Sequence, residues 1–109
     1  MEAGGNEKDP STEKTIERLI ISDMVVGDVF ELRTLNTIYI IKKQKDGLYL
    51  SYQQTGEAKS EFSKVSRIFG DDTDESPNIT LGQIFQVNFK ADPYYISSHA
   101  VKLIKKINE

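Results

Sequence analysis

The sequence predicts a mostly β protein, a small barrel or sandwich of about five or six antiparallel strands, formed by residues 15–109 behind a polar tail. Three observations carry this expectation. Short runs rich in Val, Ile, Tyr and Phe recur at spacings of about ten residues, with Gly, Asn, Asp and Pro between them. One of the intervening turns holds Asp46-Gly47, the strongest short-range signal for a hairpin. A chain of 109 residues is one domain's worth, long enough to bury a single core without staples.

The elements follow in chain order. Residues 1–14 are polar, with Gly4, Gly5 and Pro10, and bury too little surface to offset their ordering entropy, so a disordered tail is expected. Residues 15–26 carry two signals. Ile16, Leu19 and Ile20 lie at helical spacing behind the candidate caps Ser11 and Thr12, whereas the isoleucines and valines favour a strand. A short N-terminal helix and a strand both fit. Residues 29–33 read as a strand with Phe30 and Leu32 on one face, and Leu35, Asn36 and Thr37 as a turn. Residues 38–43 and 48–53 are the strands of the Asp46-Gly47 hairpin. Leu48, Leu50 and Tyr52 share one face of the second, with Tyr49 on the other. Thr55-Gly56-Glu57 is a turn, residues 62–69 a strand, and residues 70–78 an acidic, proline-containing loop. Residues 84–89 form a further strand, Ala91-Asp92-Pro93 a turn, residues 94–97 a short extended piece, and residues 100–107 a last strand or short helix.

Two stretches echo each other. Val26-Gly27-Asp28-Val29-Phe30-Glu31-Leu32 aligns with Leu81-Gly82-Gln83-Ile84-Phe85-Gln86-Val87. After a one-residue shift, Asn36-Thr37-Ile38-Tyr39-Ile40 aligns with Asp92-Pro93-Tyr94-Tyr95-Ile96. The glycines suit a positive-φ turn before each strand. Either the domain has a pseudo-two-fold axis with a groove on it, or strand-turn-strand units of similar composition simply look alike.

Composition narrows the chemistry. There are no cysteines, which removes disulfides, thiolate zinc sites and cysteine nucleophiles and fits a cytoplasmic location. The N-terminus lacks the pattern of a secretory signal, and no apolar run approaches the ~20 residues that span a bilayer, so no membrane association is expected. The net charge of −3 is uneven: residues 1–14 carry −2, residues 70–76 carry −4, and the remainder is +3.

No catalytic site, cofactor or metal is expected. His99, the one histidine, stands beside Ser98 and near Asp92. Neighbouring side chains in a strand point to opposite faces, and no Gly-x-Ser-x-Gly elbow surrounds either serine. The run Asp71-Asp72-Thr73-Asp74-Glu75 lacks the glycine and late glutamate of a calcium loop and reads as a solvated loop. The candidate binding residues are basic and aromatic: Lys42, Lys43 and Lys45 at the hairpin tip, interleaved with Tyr39, Tyr49, Tyr52, Tyr94 and Tyr95, with Lys102, Lys105 and Lys106 near the C-terminus. Exposed rings and lysines on a β surface bind single strands by stacking and phosphate contact. Half-buried tyrosines and edge-protecting lysines give the same pattern without a ligand.

From residue 24 onward the pattern resembles small bacterial and phage β-barrel proteins of unknown function. Those proteins have an apolar-Val-Gly-Asp step into a strand, a turn with Asn-Ser and Tyr, an apolar-x-x-Gly strand and a closing Ser-x-x-Val-x-x-Ile. The matching positions are Val26-Gly27-Asp28, Asn36-Thr37-x-Tyr39, Leu81-Gly82, and Ser98 with Val101 and Ile104. The likeness spans residues 24–107 and departs at Thr37, where serine is commoner, and in the loop holding Asp71 to Glu75. It implies a small SH3-like or related barrel, phage- or mobile-element-encoded, with no catalytic residues to carry over. The functional expectation is a non-enzymatic module that binds a protein partner through a β-sheet edge or loop surface. The alternative is a nucleic-acid-binding small barrel using the Lys/Tyr face.

Overall fold

In the computed structural model, which describes residues 14–69, 78–91 and 95–107, the strand and turn signals resolve into ten strands and no α-helix among those residues. The strands are β1 (Lys14–Thr15), β2 (Arg18–Ile20), β3 (Val29–Arg33), β4 (Thr37–Gln44), β5 (Gly47–Gln54), β6 (Ser63–Phe69), β7 (Asn78–Thr80), β8 (Gln86–Phe89), β9 (Tyr95–Ser97) and β10 (Leu103–Lys106). Eight of them form one antiparallel sheet in the order β9-β8-β6-β5-β4-β3-β10-β1, and β2 pairs with β7 in a second, two-stranded sheet. The expected tail and the acidic loop lie outside the described residues, apart from Lys14, which opens β1, and Asn78, which opens β7.

The core follows from alternation. Phe30 and Leu32 on β3, Tyr39 and Ile41 on β4, Leu50 on β5, Val65 and Ile68 on β6, Val87 on β8 and Ile104 on β10 all point to one face and are buried. Leu19 and Ile79, directly paired between β2 and β7, join the same cluster with Met24, Phe85 and Val101. Of the helix that the spacing of Ile16, Leu19 and Ile20 allowed, only a three-residue 3₁₀ turn forms, at Ile21–Asp23. Extended pairing of Leu19 with Ile79 buries the leucine, and an isolated turn of helix has no comparable packing to offset its nucleation cost.

The expected strand count is exceeded because β1, β2, β7 and β9 are only two or three residues long, too short for periodicity to register. Strand pairing runs open from β9 to β1, and no closed barrel forms among the described residues. A bent stretch of chain, residues 95–106, nevertheless serves both halves. It pairs with β8 as β9, donates from Ser98 N to Phe85 O (2.8 Å) and from Lys102 N to Arg33 O (2.7 Å), then pairs with β3 as β10.

The hairpin forms where Asp46-Gly47 announces it, but one residue earlier in register: Gln44 pairs with Gly47, so the loop is Lys45-Asp46. Gly47 has φ +139°, a backbone conformation that favours glycine, and a Cβ there would lie 3.1 Å from the flexible Lys64 side chain at Cε.

The internal echo is present in the backbone. Asp28 N donates to Val25 O (3.0 Å) and Gln83 N to Thr80 O (3.0 Å), closing two turns with Gly27 (φ +102°) and Gly82 (φ +85°) in the same place. Gly27 N donates to Lys43 O and Lys43 N to Asp28 O; correspondingly, Gly82 N donates to Val101 O and Val101 N to Gln83 O. The strand partners sit one residue beyond the sequence alignment. Leu32 pairs with Tyr39 and Val87 with Ile96, so Ile96 matches Tyr39 rather than Ile40.

Candidate functional site

The large sheet buries one face and presents the other. On β4, Tyr39, Ile41 and Lys43 point inward and Ile38, Ile40 and Lys42 outward. On β5, Leu48, Leu50 and Tyr52 point inward and Tyr49, Ser51 and Gln53 outward. Cross-strand register therefore builds an outer row Lys42–Tyr49–Lys64 over β4, β5 and β6, and beside it a row Lys105–Glu31–Ile40–Ser51.

The loop after β5 folds back over this face. Gly56 (φ +82°) takes the tight position of a turn closed by Glu57 N donating to Gln54 O. Ser60 N then donates to Tyr52 O (2.8 Å) while Tyr52 N donates to Ser60 Oγ (2.9 Å), so one serine satisfies both backbone groups at that point of the β5 edge. Gln53 Nε2 donates to Glu57 O (3.0 Å). The pinned loop sets Phe62 under Lys42, whose Nζ lies 4.0 Å from the ring centroid, with Lys59 Nζ at 5.4 Å. Below Lys59 is a hollow of about 120 Å³ lined by Ile38, Ile40, Ser51, Tyr52 and Gln53. Ser51 is fully buried and its Oγ has no hydrogen-bond partner.

Charges on this face are largely organised. Glu31, nearly buried, pairs with Arg33 two residues on. Asp46 lies 3.5 Å from Lys64 Nζ and accepts a hydrogen bond from Tyr49 Oη at 2.8 Å. That bond holds the Asp46 carboxyl below its ordinary range and the Tyr49 hydroxyl above its own, because each favours the carboxylate and the neutral phenol. Lys42, Lys59 and Arg67 lie against rings; the Arg67 guanidinium is 5.0 Å from the Phe69 centroid.

The residues singled out by sequence do not share one surface. Lys42 and Tyr49 lie on the outer face, and Lys45 is exposed at the hairpin tip. Lys43 points inward opposite Leu48, half-buried at the end of the hairpin, and Tyr52 is half-buried against the core. Tyr39 is a core residue. Its ring meets Phe85 edge-on at 5.1 Å, and burial pushes its hydroxyl pKa up. Tyr94 lies outside the described residues; Tyr95 opens β9 opposite Asn88. Of the C-terminal lysines, Lys105 stands across from Glu31, Lys106 pairs with Asp28 at 3.3 Å, and Lys102 is exposed. Missed from sequence were Phe62, Lys59, Lys64 and the Arg67–Phe69 pair. The parity of Lys64 with Tyr49 depends on strand pairing, and nothing local marks a loop that folds back.

Ser98 and His99 do not form a catalytic pair. The Ser98 hydroxyl accepts the Phe85 N–H at 2.9 Å and is buried, while His99 is exposed one residue on. Asp92 and the run Asp71 to Glu75 lie outside the described residues, and among the described ones no group of three or more metal-ligating side chains gathers. No helix among them is long and apolar enough to cross a membrane. Comparison with models of known protein families, with curated proteins and with solved structures returned no match.

Proposed function

We propose that this chain is a non-enzymatic binding module of the cytoplasm that recognises a protein partner through the outer face of the β4–β5 hairpin and the loop folded over it. One observation carries the reading: an outer sheet face on which apolar Ile38 and Ile40 line a hollow together with Lys59, whose ammonium also faces the Phe62 ring that Lys42 covers. Apolar anchoring inside a charged rim is the anatomy of protein recognition sites. The loop and face, rather than a sheet edge, are the better surface. The terminal strands β1 and β9 span two and three residues, and Ser60 already occupies the β5 edge at Tyr52. The bent stretch 95–106 supports regarding the fold as a relative of the small barrels.

A nucleic-acid face would draw on the same cations, but base stacking needs free rings. Tyr39 is buried, Tyr52 faces the core and Phe62 is covered by lysine. The test is affinity capture with the native chain and with a Lys42→Glu, Lys59→Glu double variant, alongside NMR titration with single-stranded RNA, single-stranded DNA and duplex DNA. A discrete protein recovered by the native chain and lost by the variant is expected. Salt-dependent shifts on the outer face with oligonucleotide, and no protein recovered, would overturn the reading.

A further inference from the structure

We infer that residues 24–26 are an edge to which an extended, aliphatic segment of a partner protein adds as a short antiparallel strand, a contact distinct from the hairpin face. The internal echo carries the inference. Its offset sets Met24, Val25 and Val26 on Ile79, Thr80 and Leu81, and Met24 and Ile79 are both buried in the core. In the second stretch this edge is covered. β2 lies along β7, Leu19 pairs with Ile79, and Leu81 N donates to Glu17 O at 2.9 Å. By the alternation of an antiparallel ladder, Ile79 O and Leu81 N are the groups that meet Leu19 and Glu17. In the first stretch the same edge is bare. Val25 N donates to Asp28 Oδ2 (3.0 Å) and Val25 O accepts Asp28 N (3.0 Å), so the chain, extended at Met24, turns Met24 O and Val26 N to the opposite side. Among the described residues neither of these two groups has a partner.

The side chains say what the added strand carries. Val25 is 62% and Val26 56% exposed, whereas Thr80 and Leu81 are half-buried. Thr80 accepts a hydrogen bond from Arg18 Nε across the covered edge; with Val25 in that place, the matching cross-strand pair is aliphatic. Val26 walls a hollow of about 410 Å³ with Lys43, Gln44 and Lys45 of the hairpin tip, room for an aliphatic side chain beside it. Asp23 and Lys45, both exposed, flank the edge with opposite charges, so a neutral segment suits it. Met24 N is taken by Ile21 O in the 3₁₀ turn, which limits the added strand to two main-chain bonds.

The probes are a capped peptide, Ser-Thr-Val-Val-Thr-Ser, and its counterpart with serine for both valines. Each is titrated into the isotopically labelled full chain and followed by NMR. The valine peptide should shift Met24, Val25 and Val26, slow hydrogen exchange at the Val26 N–H, and bind more tightly than the serine peptide. Val26→Pro removes that donor at the second position of the Gly27 turn, where proline is favoured, and should weaken binding about tenfold. Val26→Ala keeps the N–H and should weaken it less. Leu35→Ser, at an exposed site beyond the other end of β3, should leave it within about twofold. Unchanged Leu19 and Ile79 resonances report that each variant is folded. Equal binding of the two peptides, or a loss with Val26→Pro no greater than with Val26→Ala, overturns the inference. So does slow exchange at the Val26 N–H in the free chain, which would mean the edge is already covered. Concentration-dependent shifts at Val25 and Val26 without peptide overturn it too, by making the occupant a second copy of the chain. None of these outcomes touches the hairpin-face reading, whose capture experiment turns on Lys42 and Lys59.

Discussion

In residues 25–44 a glycine turn feeds β3, which pairs with β4 through five successive registers. In residues 80–101 the same turn feeds β8, which pairs with β9 through three before the ladder changes at Ser98. The difference begins opposite a phenylalanine. Ile41 faces Phe30 and continues the strand; Ser98 faces Phe85, and its hydroxyl takes the Phe85 N–H in place of a backbone carbonyl. Ile41 and Lys43 are two residues apart, but their counterparts Ser98 and Val101 are three apart, so the second ladder carries one extra residue at His99-Ala100, as a β-bulge does. The chain then bends away from β8 to reach Arg33 and become β10. A hydroxyl at one position, with one added residue, thus turns a hairpin strand into a connector between the two halves of the sheet.

The largest expected effect tests which phenylalanine ties the units together. Phe85 is almost fully buried and meets Tyr39 of the first unit, so Phe85→Ala should cost about 3–5 kcal/mol of unfolding free energy in urea denaturation. Phe30→Ala, at a site 8% exposed, should cost less. Equal or reversed losses would break the asymmetry. Next, Ser98→Ala leaves the Phe85 N–H without its acceptor and should cost about 1–3 kcal/mol, with faster hydrogen exchange at Phe85. Ser51→Ala should cost nothing or stabilise, since its hydroxyl is buried without a partner.

Gly27→Ala and Gly82→Ala should each cost about 1–2 kcal/mol. No atom lies within 4 Å of a Cβ at either position, so the cost is conformational and should be alike in the two units. Unequal costs would show that the shared turn is under different strain in the two places. The smallest effect belongs to the tip of the first unit's hairpin. The Asp46 carboxyl is held down by Tyr49, so the bond contributes above the carboxyl's ordinary titration range and fades as the pH falls through its lowered value. The raised Tyr49 hydroxyl keeps its proton until the pH passes above the ordinary tyrosine range, where the bond is lost again. In an NMR titration, Tyr49→Phe should move the Asp46 midpoint upward with little change in global stability.

Much of the local structure was legible. The strand at Val29–Arg33 stands where the β-formers place it, the Gly27 and Gly82 turns match their echo, and alternation puts Leu50 and Tyr52 on one face and Tyr49 on the other. The candidate face was legible only in part. Lys42 and Tyr49 were found, but Tyr39 was included although it faces the core, and Phe62 and Lys59 were missed. A tyrosine in an alternating run reads the same whether its face is wet or dry, and the sequence does not say which face another strand will cover.

The sequence by itself determined the β class, the turns and the two-residue alternation, because these depend on backbone sterics and on neighbours a few residues away. Tertiary structure alone decided that β10 returns to β3, that β2 finds β7, that residues 55–62 fold over the hairpin, and that Ser98 bends one strand between two partners. Those outcomes rest on contacts between residues far apart in the chain. The same short apolar runs could pair in several orders, and only burial of the shared core around Leu32, Ile41, Leu50, Phe85 and Ile104 selects among them.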